Sequence, residues 1–178
     1  MSMAVRNAAG AVSAIIENRW VDADAKDLSP EQQLLYRSNL LGADKRVTNF
    51  GGGNTSAKIP MQDPLSGQLV QVLWVKGSGG DIGTMKLDGF ATLYMDKLLA
   101  LRARYHGPQD EDTIGGLYAH CAFNMNHRAA SIDTPLHGLI DRAHVDHVHP
   151  DAVIAIAASA DSHQLTQQIY GSEVGWLP

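Results

Sequence analysis

Hydrophobic and polar positions along the chain change period several times, and each change predicts an element. Leu34, Leu35, Ser38 and Leu41 recur at helical spacing, so one stripe of this segment faces a core. The helix should start at Ser29-Pro30-Glu31-Gln32, with Ser29 as N-cap, Pro30 in the first turn and Gln32 completing a capping box. Gly42 fits the left-handed residue that follows a last turn. Within 46–59, two short β-like runs flank Gly51-Gly52-Gly53-Asn54, and Pro60–Gly67 then reads as a turn into an apolar strand over Gln68–Val75. Leu87–Met95 predicts another strand. Asp96–Tyr105 predicts a helix with Leu98, Leu99 and Leu101 inward and Lys97, Arg102 and Arg104 outward. Asp110-Glu111-Asp112 places negative charge where a helix N-terminus favours it, opening a helix to about Phe123. Val145 and Val148 fall on opposite faces of a strand expected to end at His149, because Pro150 has no amide hydrogen for a sheet but suits a first helical turn. A last helix spans Ser162–Tyr170, capped by Gly171, while Asp24–Leu28 reads as a loop and the first seventeen residues as a short amphipathic helix. Alternating β and α segments without repeat, low complexity or linker predict one α/β domain.

Composition narrows the function. The 178 residues are 44% hydrophobic and 19% charged, ordinary for a globular domain with a sizeable core. A net charge of −5, with lysines and arginines scattered, provides no basic field for nucleic acid or anionic lipid. The single cysteine, Cys121, has no partner for an internal disulfide, and no apolar run approaches a membrane span. Asn7, Gly10, Ser13 and Glu17 interrupt the N-terminal segment too often for a signal peptide. A cytoplasmic protein is expected.

Chemistry concentrates in four stretches. His147 and His149, two residues apart on a strand, project to the same face and can share one ion. Two imidazoles also occur on solvated strands, and two ligands leave a metal site incomplete. Their place at a strand's C-terminal edge is where open α/β sheets bind ligands. His144, three residues from His147, points to the other face and reads as structural. The glycine run before Asn54-Thr55-Ser56 fits either a flexible hairpin turn or a cradle of bare amides and hydroxyls around an anion. Lys76-Gly77-Ser78-Gly79-Gly80-Asp81 repeats the glycine–hydroxyl pattern at a strand end but lacks the Gly-Lys-Ser/Thr ending of a nucleotide-binding loop. Asp133-Thr134-Pro135 fits an N-cap, and equally a carboxylate returned by the chain to the edge that carries the histidines.

Taken in order, GGGNTSAKI, VKGSGGD, SIDTPLH and HVDHVHPDAVIA resemble the class II aldolase/adducin family, and in combination the aldolase half of bifunctional rhamnulose-1-phosphate aldolase/short-chain dehydrogenase proteins. The resemblance runs from about Ser29 to the chain end, leaving 1–28 as an N-terminal extension and 29–178 as the family-like domain. It implies a three-layer α/β/α sandwich on a mixed sheet and a divalent cation, usually Zn2+. It also implies cleavage of a ketose 1-phosphate to dihydroxyacetone phosphate and an aldehyde, and homo-oligomers, tetramers in the family, with sites near subunit interfaces. Matched position by position, Gly53, Asn54, Ser78, Gly79 and Ser131 fall on the family's phosphate-binding positions, and His147 and His149 on its first two metal ligands. Asp133 falls where most members carry the glutamate that shuttles the proton, one methylene longer, and Ile132 replaces a second serine common at the phosphate.

The family's third histidine lies several dozen residues beyond the pair, past the Trp176-Leu177-Pro178 ending, so this chain reads as a truncated domain expected to bind zinc poorly, if at all, and to lack aldolase activity alone. A non-catalytic assembly module like adducin, and an epimerase or dehydratase acting on a sugar phosphate, are the competing expectations. No Gly-x-Gly-x-x-Gly strand-turn-helix unit supports a dehydrogenase within these residues.

Overall fold

In the computed structural model, which describes residues 16–177, a four-stranded sheet is assembled from one hairpin and two flanking strands. Chain order is α1 (Asp22–Ala25), α2 (Pro30–Ala43), β1 (Asn54–Gln62), β2 (Leu69–Lys76), β3 (Phe90–Tyr94), α3 (Met95–Ala100), α4 (Glu111–Leu117), α5 (Thr134–Leu139), β4 (His144–His147), α6 (Asp151–Ala157) and α7 (Ser162–Tyr170). The helix expected over the first seventeen residues lies almost wholly outside the described residues. Helices cover both faces of the sheet, as expected of a three-layer α/β fold, but the strand order β3-β2-β1-β4 is antiparallel at every pairing rather than mixed.

Alternation on the strands divides the core. Leu73, Val75, Ala91 and Leu93 face α3 and α4 and close around Met95, Leu98, Ile114, Tyr118 and Cys121. On the opposite face, Ala57, Ile59 and Phe90 meet Leu34 of α2, with Trp74 and Met85 at the margin. The β1–β2 turn is organised by Asp63, whose Oδ1 accepts from the amides of Leu65 at 2.9 Å and Ser66 at 2.7 Å, and Gly67 takes a left-handed φ of 69°. A hydrogen bond from the Tyr94 hydroxyl, reinforced by the Ser66 amide, holds the Asp63 carboxyl down to about 2.

Helix α2 starts as expected, with the Ser29 amide donating to Gln32 Oε1 at 2.9 Å in a capping box. Its end differs. Gly42 is inside the helix, because a Cβ there would sit 2.1 Å from the Gly83 nitrogen; the glycine is needed for close backbone packing, not for a left-handed cap. Ser38, on the same buried stripe, donates to Leu34 O at 2.6 Å and meets Thr55 Oγ1 at 2.6 Å, tying α2 to β1 through polar atoms.

Five other expected elements are missing or shorter than their patterns. The run before the glycines forms turns, and only the run from Asn54 joins the sheet. Leu87–Gly89 is a single 3-10 turn before β3. Helix α3 tightens into a 3-10 turn at Leu101–Arg104, leaving Leu99 44% exposed rather than inward. Helix α4 gives way to a 3-10 turn at Tyr118–Cys121, just after Gly115-Gly116, which weaken any helix interior. Strand β4 stops at His147, not His149: His147 is opposite Asn54, the first residue of β1, so Val148 and His149 have no strand to pair with. Pro150 is the N-cap of α6 rather than its first residue. Among the described residues no helix is long and apolar enough to cross a membrane.

Two glycine substitutions test this packing. Gly42→Ala forces the α2 backbone away from Gly83 and should lower unfolding stability in urea by about 1–3 kcal/mol, the range for overpacking a filled interior. Gly116→Ala, with nothing within 4 Å of its added methyl, should raise stability by up to about 1 kcal/mol through helix propensity.

Candidate functional site

The N-terminal end of β1 and the C-terminal end of β4 meet, and the candidate residues gather there. Gly53, with φ of 74°, has no room for a side chain: a Cβ would sit 2.7 Å from the His147 carbonyl oxygen and 3.0 Å from Thr48 Oγ1. A Cβ on Gly52 would come within 2.9 Å of His149 Nδ1. Two of the three glycines therefore let the loop lie against the histidine strand, a use that local sequence does not reveal.

Asn54 is 3% exposed and points its amide across to the segment before α5. Its Nδ2 donates to Ser131 Oγ at 3.2 Å and, in a short hydrogen bond, to Asp133 Oδ2. Ser131 Oγ in turn donates to Asp133 Oδ2 at 3.0 Å and accepts from the Asp133 amide at 3.3 Å. Asp133 does occupy the N-cap position of α5, yet its side chain caps nothing there; the carboxylate is turned to Asn54 and Ser131. Its other oxygen, Oδ1, lies 3.8 Å from His147 Nδ1.

His147 and His149 bring their Nε2 atoms to 3.0 Å with ring centroids 4.6 Å apart. Two imidazole nitrogens at the usual zinc distance of about 2.0–2.1 Å subtend an edge of about 3.3 Å in a tetrahedron, so the pair is shaped to share one cation. Nδ1 of His147 is buried with no hydrogen bond, the Asp133 carboxylate at 3.8 Å being too far for one, so the acceptor that a ligating imidazole's second nitrogen ordinarily has is not in place. Among the described residues no group of three or more His, Cys, Asp or Glu side chains is poised around one ion. The set fits a divalent ion as two of its ligands. His144 points away, as its spacing predicts: Arg37 donates to its Nδ1 at 3.0 Å, to Asp146 Oδ1 at 3.1 Å and to Ser56 O at 2.8 Å, latching the outer face of β4 to α2.

The second glycine loop is nearby but separate. Ser78 is exposed, its amide donating to Ala129 O at 2.9 Å, and Gly79 is left-handed at φ 77°. No hydrogen bond joins Ser78 to Asn54 or Ser131 among the described residues; the link is a Gly77–Ala130 bridge that leads the chain to Ser131. Ile132, beside it, faces outward at 85% exposure.

Two residues that sequence reasoning did not single out belong to this region. Lys76, 3% exposed, lines a cleft of about 260 Å³ together with Gly80, Asp81, Met85, Lys86 and Arg128. Burial pushes its pKa down, opposed by the charges of Asp133 and Asp81. A lysine closing an otherwise apolar strand was the available signal. His137, fully buried, shares a 2.7 Å hydrogen bond between its Nδ1 and Ser56 Oγ, while its Nε2 has no partner. Burial first, then the neighbouring His147, lowers its pKa to about 4.

A family model described as the Class II Aldolase and Adducin N-terminal domain matches residues 32–178. The chain is 43% identical over 147 residues to a Bacillus subtilis (strain 168) protein named uncharacterized oxidoreductase YuxG; the match covers 83% of this chain and 21% of that protein. The chain thus spans about a fifth of the length of that curated relative. Among solved structures, the N-terminal class II aldolase domain of a conserved protein from Thermoplasma acidophilum superposes with a TM-score of 0.76 at 29% identity, covering 88% of this chain and 71% of that one.

The buried histidine sets a pH dependence. Its folded pKa of about 4 lies below the ordinary 6.5, so between these values the unfolded chain binds more protons. Stability from this group is therefore complete above about 6.5 and falls as pH drops toward 4, by about 3 kcal/mol. Urea unfolding of wild type and His137→Gln from pH 7 to 4 should show a shallower slope in the variant; parallel curves would refute it.

Proposed function

This chain belongs to the class II aldolase and adducin family, and from that premise we propose that it is the aldolase part of a longer protein. In this reading it cleaves a ketose 1-phosphate of the rhamnulose 1-phosphate kind to dihydroxyacetone phosphate and an aldehyde. The observation that carries the reading is the convergence of His147 and His149, Nε2 atoms 3.0 Å apart, with the Asn54–Ser131–Asp133 cluster on one end of the β1–β4 pair.

His147 and His149 would hold a divalent ion, zinc in this proposal, and such an ion would supply Lewis acidity to the substrate. Gly53, Asn54, Ser78, Gly79 and Ser131 bind the substrate phosphate, and that binding orients the carbon–carbon bond that breaks. Asp133 carries the proton to or from the reacting carbon, the catalytic role of the set. We assign residues 29–178 to this domain and 1–28 to an extension, place the protein in the cytoplasm, and expect it to work as a homo-oligomer, a tetramer by analogy with the family. The oxidoreductase name of the B. subtilis relative, and its greater length, support a dehydrogenase domain elsewhere in the parent protein.

A second reading is an adducin-like assembly module without chemistry. It is favoured by the two-histidine set, since no third ligand joins it among the described residues.

Zinc titration of the 178-residue chain and of His147→Ala and His149→Ala, with retro-aldol assays on ketose 1-phosphates, separates the two. The proposal expects weak zinc binding that either substitution abolishes, with little or no turnover by this chain alone. Zinc binding unchanged by both substitutions would remove the metal site, and the assembly reading would take its place.

A further inference from the structure

Asn54 and Ser131 both donate to the same oxygen of Asp133. Asn54 Nδ2 donates to both Ser131 Oγ, at 3.2 Å, and Asp133 Oδ2. Ser131 carries one hydroxyl hydrogen, and it goes to Asp133 Oδ2 at 3.0 Å. Asn54 and Ser131 are both buried, so water does not offer either of them a ready substitute partner. Turning the Asn54 amide over would aim its oxygen at a carboxylate and a hydroxyl already committed elsewhere, so the orientation is settled by the network. Two of the residues proposed to grip the substrate phosphate are thus the ones that hold the carboxylate proposed to move the proton.

From this we infer that Asn54 and Ser131 form a lock on Asp133 that the substrate's phosphate opens by taking the same hydrogens. The inference rests on the phosphate-binding assignment made above. In the closed arrangement, Asp133 Oδ2 is masked and Oδ1 faces His147 Nδ1 at 3.8 Å. A phosphate oxygen arriving at Asn54 or Ser131 competes with Oδ2 for donors that the carboxylate already holds. Repulsion between the two anions drives the exchange in the same direction, and the nearby Lys76 charge attracts the carboxylate. Proton transfer is thereby tied to the presence of a phosphorylated substrate.

The consequence is a competition that binding measurements can read without turnover. The probe is inorganic phosphate, titrated by calorimetry into the full chain, Asp133→Asn, Asn54→Ala and the double variant, with circular dichroism to establish that each is folded. A hydrogen bond to a charged group contributes about 1.5–3 kcal/mol, so abolishing the carboxylate's claim should tighten phosphate binding by about tenfold or more. Simple charge repulsion would also tighten binding, but equally in both backgrounds. The lock requires the gain to shrink at least about threefold when Asn54, the shared donor, is already Ala. Asp133→Ala is the alternative variant if Asp133→Asn fails to fold, and it carries the same expectation. An equal gain with and without Asn54, or no gain, overturns the lock while leaving phosphate binding in place. No phosphate binding by any form overturns both the lock and the phosphate assignment.

Discussion

The pairing of β1 with β4 is the constraint on which the rest of the site depends. Four residue pairs, from Asn54 opposite His147 to Ala57 opposite His144, bring together segments about ninety positions apart in the chain. Closing so long a loop is unfavourable, and an edge strand of four residues has little ladder of its own to offset it. The offset comes from side chains. Arg37 reaches from α2 to both His144 and Asp146 and to the Ser56 carbonyl, and Lys58 Nζ donates to Arg142 O at 3.0 Å just before the strand. Gly53 completes the contact by admitting the His147 carbonyl where a side chain would stand.

Around this pairing the structure tolerates an unusual concentration of unsatisfied polar atoms. Among the described residues, the buried side-chain atoms without a hydrogen bond are Thr48 Oγ1, Asn54 Oδ1, His137 Nε2 and His147 Nδ1. Asn54 and His147 are opposite one another, Thr48 lies under Gly53, and His137 is bonded to Ser56 two residues along β1. Native interiors leave few such atoms, and each costs about 1–3 kcal/mol when nothing replaces the lost water. Their gathering at one end of one strand pair, beside two converging imidazoles and the Asp133 carboxylate, supports the ligand site proposed above. Stability comes from elsewhere, chiefly the Leu73–Val75–Leu93 face packed on α3 and α4.

Legibility in the sequence followed range. The start of α2 could be read because a capping box is a contact over three residues, and the β1–β2 hairpin because its turn carries Asp63 and Gly67 in place. The shared face of His147 and His149 follows from the two-residue period of extended chain, and it holds even though the strand has ended between them. The outward turn of His144 follows from the same period.

What the sequence could not settle were contacts made by residues far apart. Where β4 ends depends on where β1 begins, and the carboxylate of Asp133 had two equally good local uses until Asn54, seventy-nine positions away, took it. Gly42 looked like a helix cap because nothing nearby in sequence announces the Gly83 backbone against it. Lys76 and His137 owe their burial, and hence their lowered pKa values, to neighbours brought by the sheet and by α5. Sequence alone therefore determined the periodic elements and the chemical kinds of group present, since these depend on a residue and its near neighbours. Tertiary structure decided which donors and acceptors meet, because hydrogen bonding and desolvation act only over a few ångströms of space, whatever the distance along the chain.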